Sequence, residues 1–84
     1  MTELKIPIGQ TWSGFEFLKI KKYKRKQGYR VDFIRKTWSG KFITLATEKA
    51  LDADEIIEKI SKNLLPIFEI PDEIKEQIKD FCKS

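Results

Sequence analysis

Between Gly14 and Leu45 the chain is rich in aromatic and β-branched residues, with apolar and charged side chains alternating in places and breaks at Gln27-Gly28 and Ser39-Gly40. A period of two is that of a strand, and Gly-containing dipeptides between such runs mark turns. The stretch predicts three antiparallel strands, over 14–26, 29–38 and 41–47, joined as a meander, and Leu4 to Ile8 admits a further short strand. After Thr47 the period lengthens. Ala53, Ile56, Ile57, Ile60 and Leu64 fall at helical spacing and predict a helix over 52–65. Asp52 with Glu55 makes a capping-box-like start, Glu55 with Lys59 and Glu58 with Lys62 are favourable i,i+4 pairs, and Pro66 is the stop. A second helix is expected to open at Pro71, with Asp72 and Glu73 complementing its dipole and Ile74, Ile78, Phe81 and Cys82 as its apolar stripe. That stripe needs a partner, either the first helix or a second copy of the chain. The expected class is α+β, an antiparallel meander of three to four strands followed by two helices. A homodimer is the default, since small domains gain burial by associating.

Parity sorts the sheet into two faces. On the first long strand Leu18 and Ile20 suit the helix layer, while Phe15, Phe17, Lys19, Lys21, Tyr23 and Arg25 share the opposite face. On the second, Val31 and Phe33 point inward and Arg30, Ile34, Lys36 and Trp38 outward; on the third, Ile43 and Leu45 point inward and Phe42 and Thr44 outward. Arg35 takes inward parity, which predicts a bulge or the end of regular pairing beside it. The outward face is therefore expected to mix the rings Tyr23, Trp38 and Phe42 with Lys19, Lys21, Arg25, Arg30 and Lys36. Thr-Trp-Ser-Gly occurs twice, at 11–14 and 37–40. Turn chemistry accounts for the repeat; the alternative is that Trp12 and Trp38 flank one binding face.

Charge sharpens the contrast between the two parts of the chain. Its 84 residues suffice for one core, so a single domain is expected. The net charge of +4 divides into +8 for residues 1–50, with 12 basic and 4 acidic groups, and −4 for residues 51–84, with 5 basic and 9 acidic groups. Six of the eight residues from Lys19 to Lys26 are basic. A basic sheet part beside an acidic helical part is the footprint of a polyanionic partner. Rings beside cations suit single-stranded nucleic acid. A base stacks on a ring for about 1–3 kcal/mol while Lys and Arg neutralise phosphates, and a duplex leaves no base free.

Enzymatic chemistry finds little to work with. There is no histidine, one cysteine, no Gly-rich phosphate loop and no nucleophile motif, so a non-enzymatic protein without metal or cofactor is expected. Cys82 reads as a small hydrophobe on a helix face. A lone cysteine, no signal-peptide pattern and no apolar run of about 20 residues lead to the expectation of an intracellular, cytoplasmic protein without membrane contact, nucleoid association included.

Lys21, Tyr23 and Lys24, then Val31-Asp32-Phe33 followed by Arg35 and Trp38, then Lys41-Phe42-Ile43-Thr44-Leu45 and a helix, resemble over about residues 18–60 the single-stranded-DNA-binding domain of the transcriptional positive cofactor four family. The chain departs from that pattern in one extra residue between Asp32 and Trp38, a shorter following turn, and a second helix. The resemblance implies phosphate and base contacts from these positions, adding Lys24, Arg35 and Lys41 to the parity set, and a dimer made by the helix whose two sheets form a curved DNA channel. The expected partner is single-stranded DNA, with RNA as the other strand chemistry. The rival is a small protein-interaction or regulatory module anchored by Phe15, Phe17, Tyr23 and Trp38, since aromatics dominate interface hot spots.

Overall fold

The computed structural model describes residues 3–65 and 69–83. Four strands, β1 (Glu3–Thr11), β2 (Gly14–Lys22), β3 (Tyr29–Thr37) and β4 (Phe42–Ala50), form one antiparallel sheet in the order β1-β2-β3-β4. Strand β1 is nine residues long, well beyond the Leu4–Ile8 segment its alternation suggests. β2 ends at Lys22 and not at Lys26, because Tyr23 to Gly28 form the turn closed by the Tyr23 N–H on the Gly28 carbonyl at 3.1 Å.

Helix α1 (Ala53–Lys59) runs directly into a π-helical turn, Ile60–Leu64, and α2 (Asp72–Lys83) follows. The Asp52 carboxylate accepts the Glu55 N–H at 2.8 Å, as the capping pattern predicts. Glu58 and Lys62 pair at 2.8 Å, whereas Lys59 turns to Glu48 on β4 at 3.8 Å in place of its expected partner Glu55. The wide turn is closed by the Leu65 N–H on the Ile60 carbonyl at 2.8 Å; the stop expected at Pro66 lies outside the described residues. The Pro71 carbonyl accepts from Ile74 and Lys75 at 3.0 and 3.1 Å, so Pro71 stands at the opening of α2.

All three helical pieces lie on one face of the sheet. Ile6, Leu18, Ile20 and Val31 meet Ile56, Ile60, Ile78 and Phe81 in the core. Each such side chain contributes about 1.5–3 kcal/mol relative to leaving it in water. The stripe of α2 is thereby used within its own chain: Ile78 is fully buried, and the Phe81 ring lies 6.0 Å from that of Tyr29. The Tyr29 hydroxyl donates to the Cys82 carbonyl at 3.2 Å, tying β3 to the end of α2, and burial pushes both the Tyr29 phenol and the Cys82 thiol above their usual pKa.

Two register shifts interrupt the sheet, between Pro7 and Gly9 on β1 and opposite Phe33 and Ile34 on β4, where Leu45 is the extra residue. The bulge or end of pairing expected beside Arg35 does not occur on its strand: Arg35 pairs regularly with Glu16 and Ile43 and keeps its inward parity, and the second shift belongs to β4. Ile43 and Leu45 do not reach the core as parity suggests. On β4 the core begins at Ala46, and the two side chains are left 45% and 40% exposed.

Candidate functional site

Directly opposed residues of antiparallel strands share a face, so the register assigns the side opposite the helices row by row. From the Tyr23–Gly28 turn towards the other end, the rows across β1 to β4 are Glu3, Lys21, Arg30 and Lys49; Lys5, Lys19, Asp32 and Thr47; Pro7, Phe17, Ile34 and Thr44; and Gln10, Phe15, Lys36 and Phe42. The first two rows are basic and the last two largely apolar and aromatic. Most cations gather towards one end of the strands and the rings towards the other, with Lys36 standing among the rings, in place of the general mixing that parity within single strands suggested.

The basic half is organised around one acid. Asp32 is only 6% exposed although no helix covers it, and it accepts from Arg30 Nε at 3.0 Å and Thr47 Oγ1 at 2.7 Å. Lys19 pairs with Glu3 at 3.1 Å, and that hydrogen bond holds the Glu3 carboxyl below its usual pKa. Lys5, Lys21 and Lys49 have no ion-pair partner within 4.0 Å among the described residues. In the aromatic half the Phe17 and Phe42 rings meet edge to face, 6.3 Å apart at 89°, and Lys36 Nζ lies 5.6 Å from the Phe42 centroid. Between β1 and these rings runs a groove of ≈ 540 Å³ bordered by Lys5, Pro7, Gln10, Phe15, Lys36 and Phe42.

The two Thr-Trp-Ser-Gly turns stand side by side at the aromatic end, since the first and third connections of a meander share an end. Each is tied by its own Thr and Ser hydroxyls, Thr11 with Ser13 at 3.1 Å and Thr37 with Ser39 at 2.9 Å. The turns are also joined to each other, because Trp38 Nε1 donates to the Trp12 carbonyl at 2.9 Å, while the Trp38 ring packs edge-on against Phe15 at 4.8 Å. Trp12 projects from its turn with 93% of its surface exposed.

The sequence candidates thus fall into separate places. Lys19, Lys21 and Arg30 lie in the basic half, and Lys36 and Phe42 in the aromatic half. Tyr23, Lys24 and Arg25 occupy the turn beyond the basic end, where Lys26 Nζ sits 4.5 Å from the Tyr23 centroid; Trp38 and Lys41 lie in the turn region at the opposite end, about nine strand residues away. Arg35 is on the helix side, where its guanidinium holds Glu16 at 2.7 Å, so it does not join this face. Lys5, Pro7 and Gln10 on β1 and Lys49 at the end of β4 were missed. Alternation of Leu4, Ile6 and Ile8 with Lys5 and Pro7 carried the signal for the first two, and continuing β4 past Thr47 would have found Lys49.

No protein-family model, curated protein sequence or solved structure matches the chain. No helix among the described residues is long and apolar enough to cross a membrane, and no group of three or more Cys, Asp or Glu side chains among them is arranged to hold a metal ion.

Proposed function

We propose that the protein is a non-enzymatic binder of single-stranded nucleic acid, DNA in the first instance, which it takes along the helix-free face of its sheet. The observation that carries this reading is the row order of that face: a basic half able to neutralise phosphates adjoins an aromatic half able to stack bases, on one uncovered surface. The resemblance of residues 18–60 to a single-stranded-DNA-binding family supports the same direction. Dimerisation remains part of the proposal, but it needs another surface than the α2 stripe, which is already buried. The exposed side chains of Ile43 and Leu45 on the edge strand β4 supply one, and together with the exposed Phe42 and Trp38 they favour the rival reading as a protein-interaction module.

Tryptophan fluorescence separates these readings. A mixed-sequence single-stranded oligonucleotide is expected to quench emission at low salt while its duplex does so weakly, and the Lys21→Ala, Lys49→Ala, Phe42→Ala triple variant, all at exposed positions, is expected to lose the response. Absence of binding to either form at low salt would leave the face to a protein partner.

A further inference from the structure

We infer that the groove in the aromatic half is a subsite for one unpaired nucleotide within a strand, its base lodged among Phe15, Phe17 and Phe42 and its two neighbouring phosphates met by Lys5 and Lys36; this rests on the face being a nucleic-acid surface. The groove, of ≈ 540 Å³, lies within the range of small-ligand sites and exceeds what a base alone requires. The Phe17 and Phe42 rings meet edge to face, and Phe42 is 63% accessible, so ring surface is available for a planar guest to stack on. Phe15 and Phe42, which both line the groove, and Trp38, packed on Phe15, are all exposed, and apolar surface gathered in one place marks an interaction site.

The polar groups around this apolar floor narrow the guest. Lys5 and Lys36 stand on different strands of the groove; Glu16 also borders it, but has the parity of the helix side, and its carboxylate is neutralised by Arg35 at 2.7 Å. A nucleotide inside a strand is a planar ring flanked by a negative charge on each side, which matches that arrangement. A free uncharged aromatic leaves both lysines unused, and a duplex keeps its bases stacked away from the rings. Gln10 adds an amide with one acceptor and two donor hydrogens for the edge of the base.

Gln10 is on this face only because of the bulge in β1. Glu3, Lys5 and Pro7 have the outward parity, which regular pairing would pass on to Gly9 and Thr11. The shift between Pro7 and Gly9 instead brings Gln10 opposite Phe15. Re-aiming a side chain beside a binding surface is a recurrent use of bulges.

The test compares a ten-nucleotide single strand with a ten-unit abasic strand of the same phosphate charge, on the wild-type chain and on the exposed-site variants Phe42→Ala and Gln10→Ala, with matching thermal unfolding as the control for folding. The abasic strand is expected to bind about tenfold or more weakly to the wild type. Phe42→Ala should weaken the intact strand by about as much and leave the abasic strand unchanged, with Gln10→Ala giving a smaller loss of the same kind. Equal affinity for the two strands, variants that weaken both alike, or variants that change neither would overturn the subsite while leaving the phosphate-binding face in place. Failure of both strands to bind at low salt would overturn the face reading and the subsite with it.

Discussion

Asp32 is an acid placed at the centre of a surface that otherwise collects cations. It is nearly sealed from solvent, yet its carboxylate has both a guanidinium and a hydroxyl donor, and Lys19 faces it across β2, so its charge is locally answered. Its structural work is to hold Arg30 flat on the sheet and to fasten Thr47 of the edge strand. The same charge opposes any phosphate that approaches the basic half. The two roles separate on substitution. Asp32→Asn keeps an acceptor for both partners and is expected to cost about 1 kcal/mol of stability, since a neutral hydrogen bond replaces a charge-assisted one. It should tighten binding of a single-stranded oligonucleotide severalfold at low salt. Asp32→Ala removes both hydrogen bonds and leaves the exposed Arg30 and Thr47 to water, and is expected to cost about 1–3 kcal/mol. Denaturant unfolding together with oligonucleotide titration reads both quantities, and a weakened affinity in the Asn variant would mean that Arg30 positioning outweighs the removed charge.

The repeated Thr-Trp-Ser-Gly shows what a short sequence dictates and what its surroundings add. Both copies fold into a Thr-to-Ser hydroxyl-tied turn, yet their glycines are held by different things. Gly14 has φ +151° and lies against β3, where a Cβ would run into the Lys36 carbonyl; Gly40 has φ +91° with open space around it. Gly14→Ala is therefore expected to cost about 2–4 kcal/mol from backbone strain plus collision, and Gly40→Ala about 1–2 kcal/mol from strain alone, by thermal unfolding. Equal losses would show that collision adds nothing. Turns and helices of this kind were legible: Gln27-Gly28, Ser39-Gly40, the Asp52 cap and the start of α2 all stand where their chemistry puts them. Bulges were not, since an extra residue at Ile8 or Leu45 changes the face of everything beyond it without altering local composition. The face therefore came out with the right cations at Lys19, Lys21, Arg30 and Lys36. Its β1 contribution was missing, and Tyr23 and Trp38 were merged although nearly a whole strand length separates them.

Taken as one body, the chain sets an acidic helical layer on one side of a sheet whose other side carries the cations Lys5, Lys19, Lys21, Arg30, Lys36 and Lys49, so a polyanion is drawn to the side where no helix stands in the way. The strength of that pull follows from which cations are free. Lys19 and Arg30 are engaged with Glu3 and Asp32, whereas Lys5, Lys21, Lys36 and Lys49 have no carboxylate within 4.0 Å among the described residues. If those four each displace one counterion from a single strand, the logarithm of the affinity should fall against the logarithm of the salt concentration with a slope of about −3. Removing Lys21 or Lys49 should lower the magnitude of the slope by about 0.7 each. Phe42→Ala should shift the line down without changing its slope, because stacking releases no ions. A slope near zero for the wild type would place the binding energy in the aromatic end alone, as expected for a protein partner seated on Trp38, Phe42 and Ile43. A slope much steeper than −3 would bring in Lys24, Arg25 and Lys26 of the turn beyond the basic half, and would extend the path of the strand past the edge of the sheet.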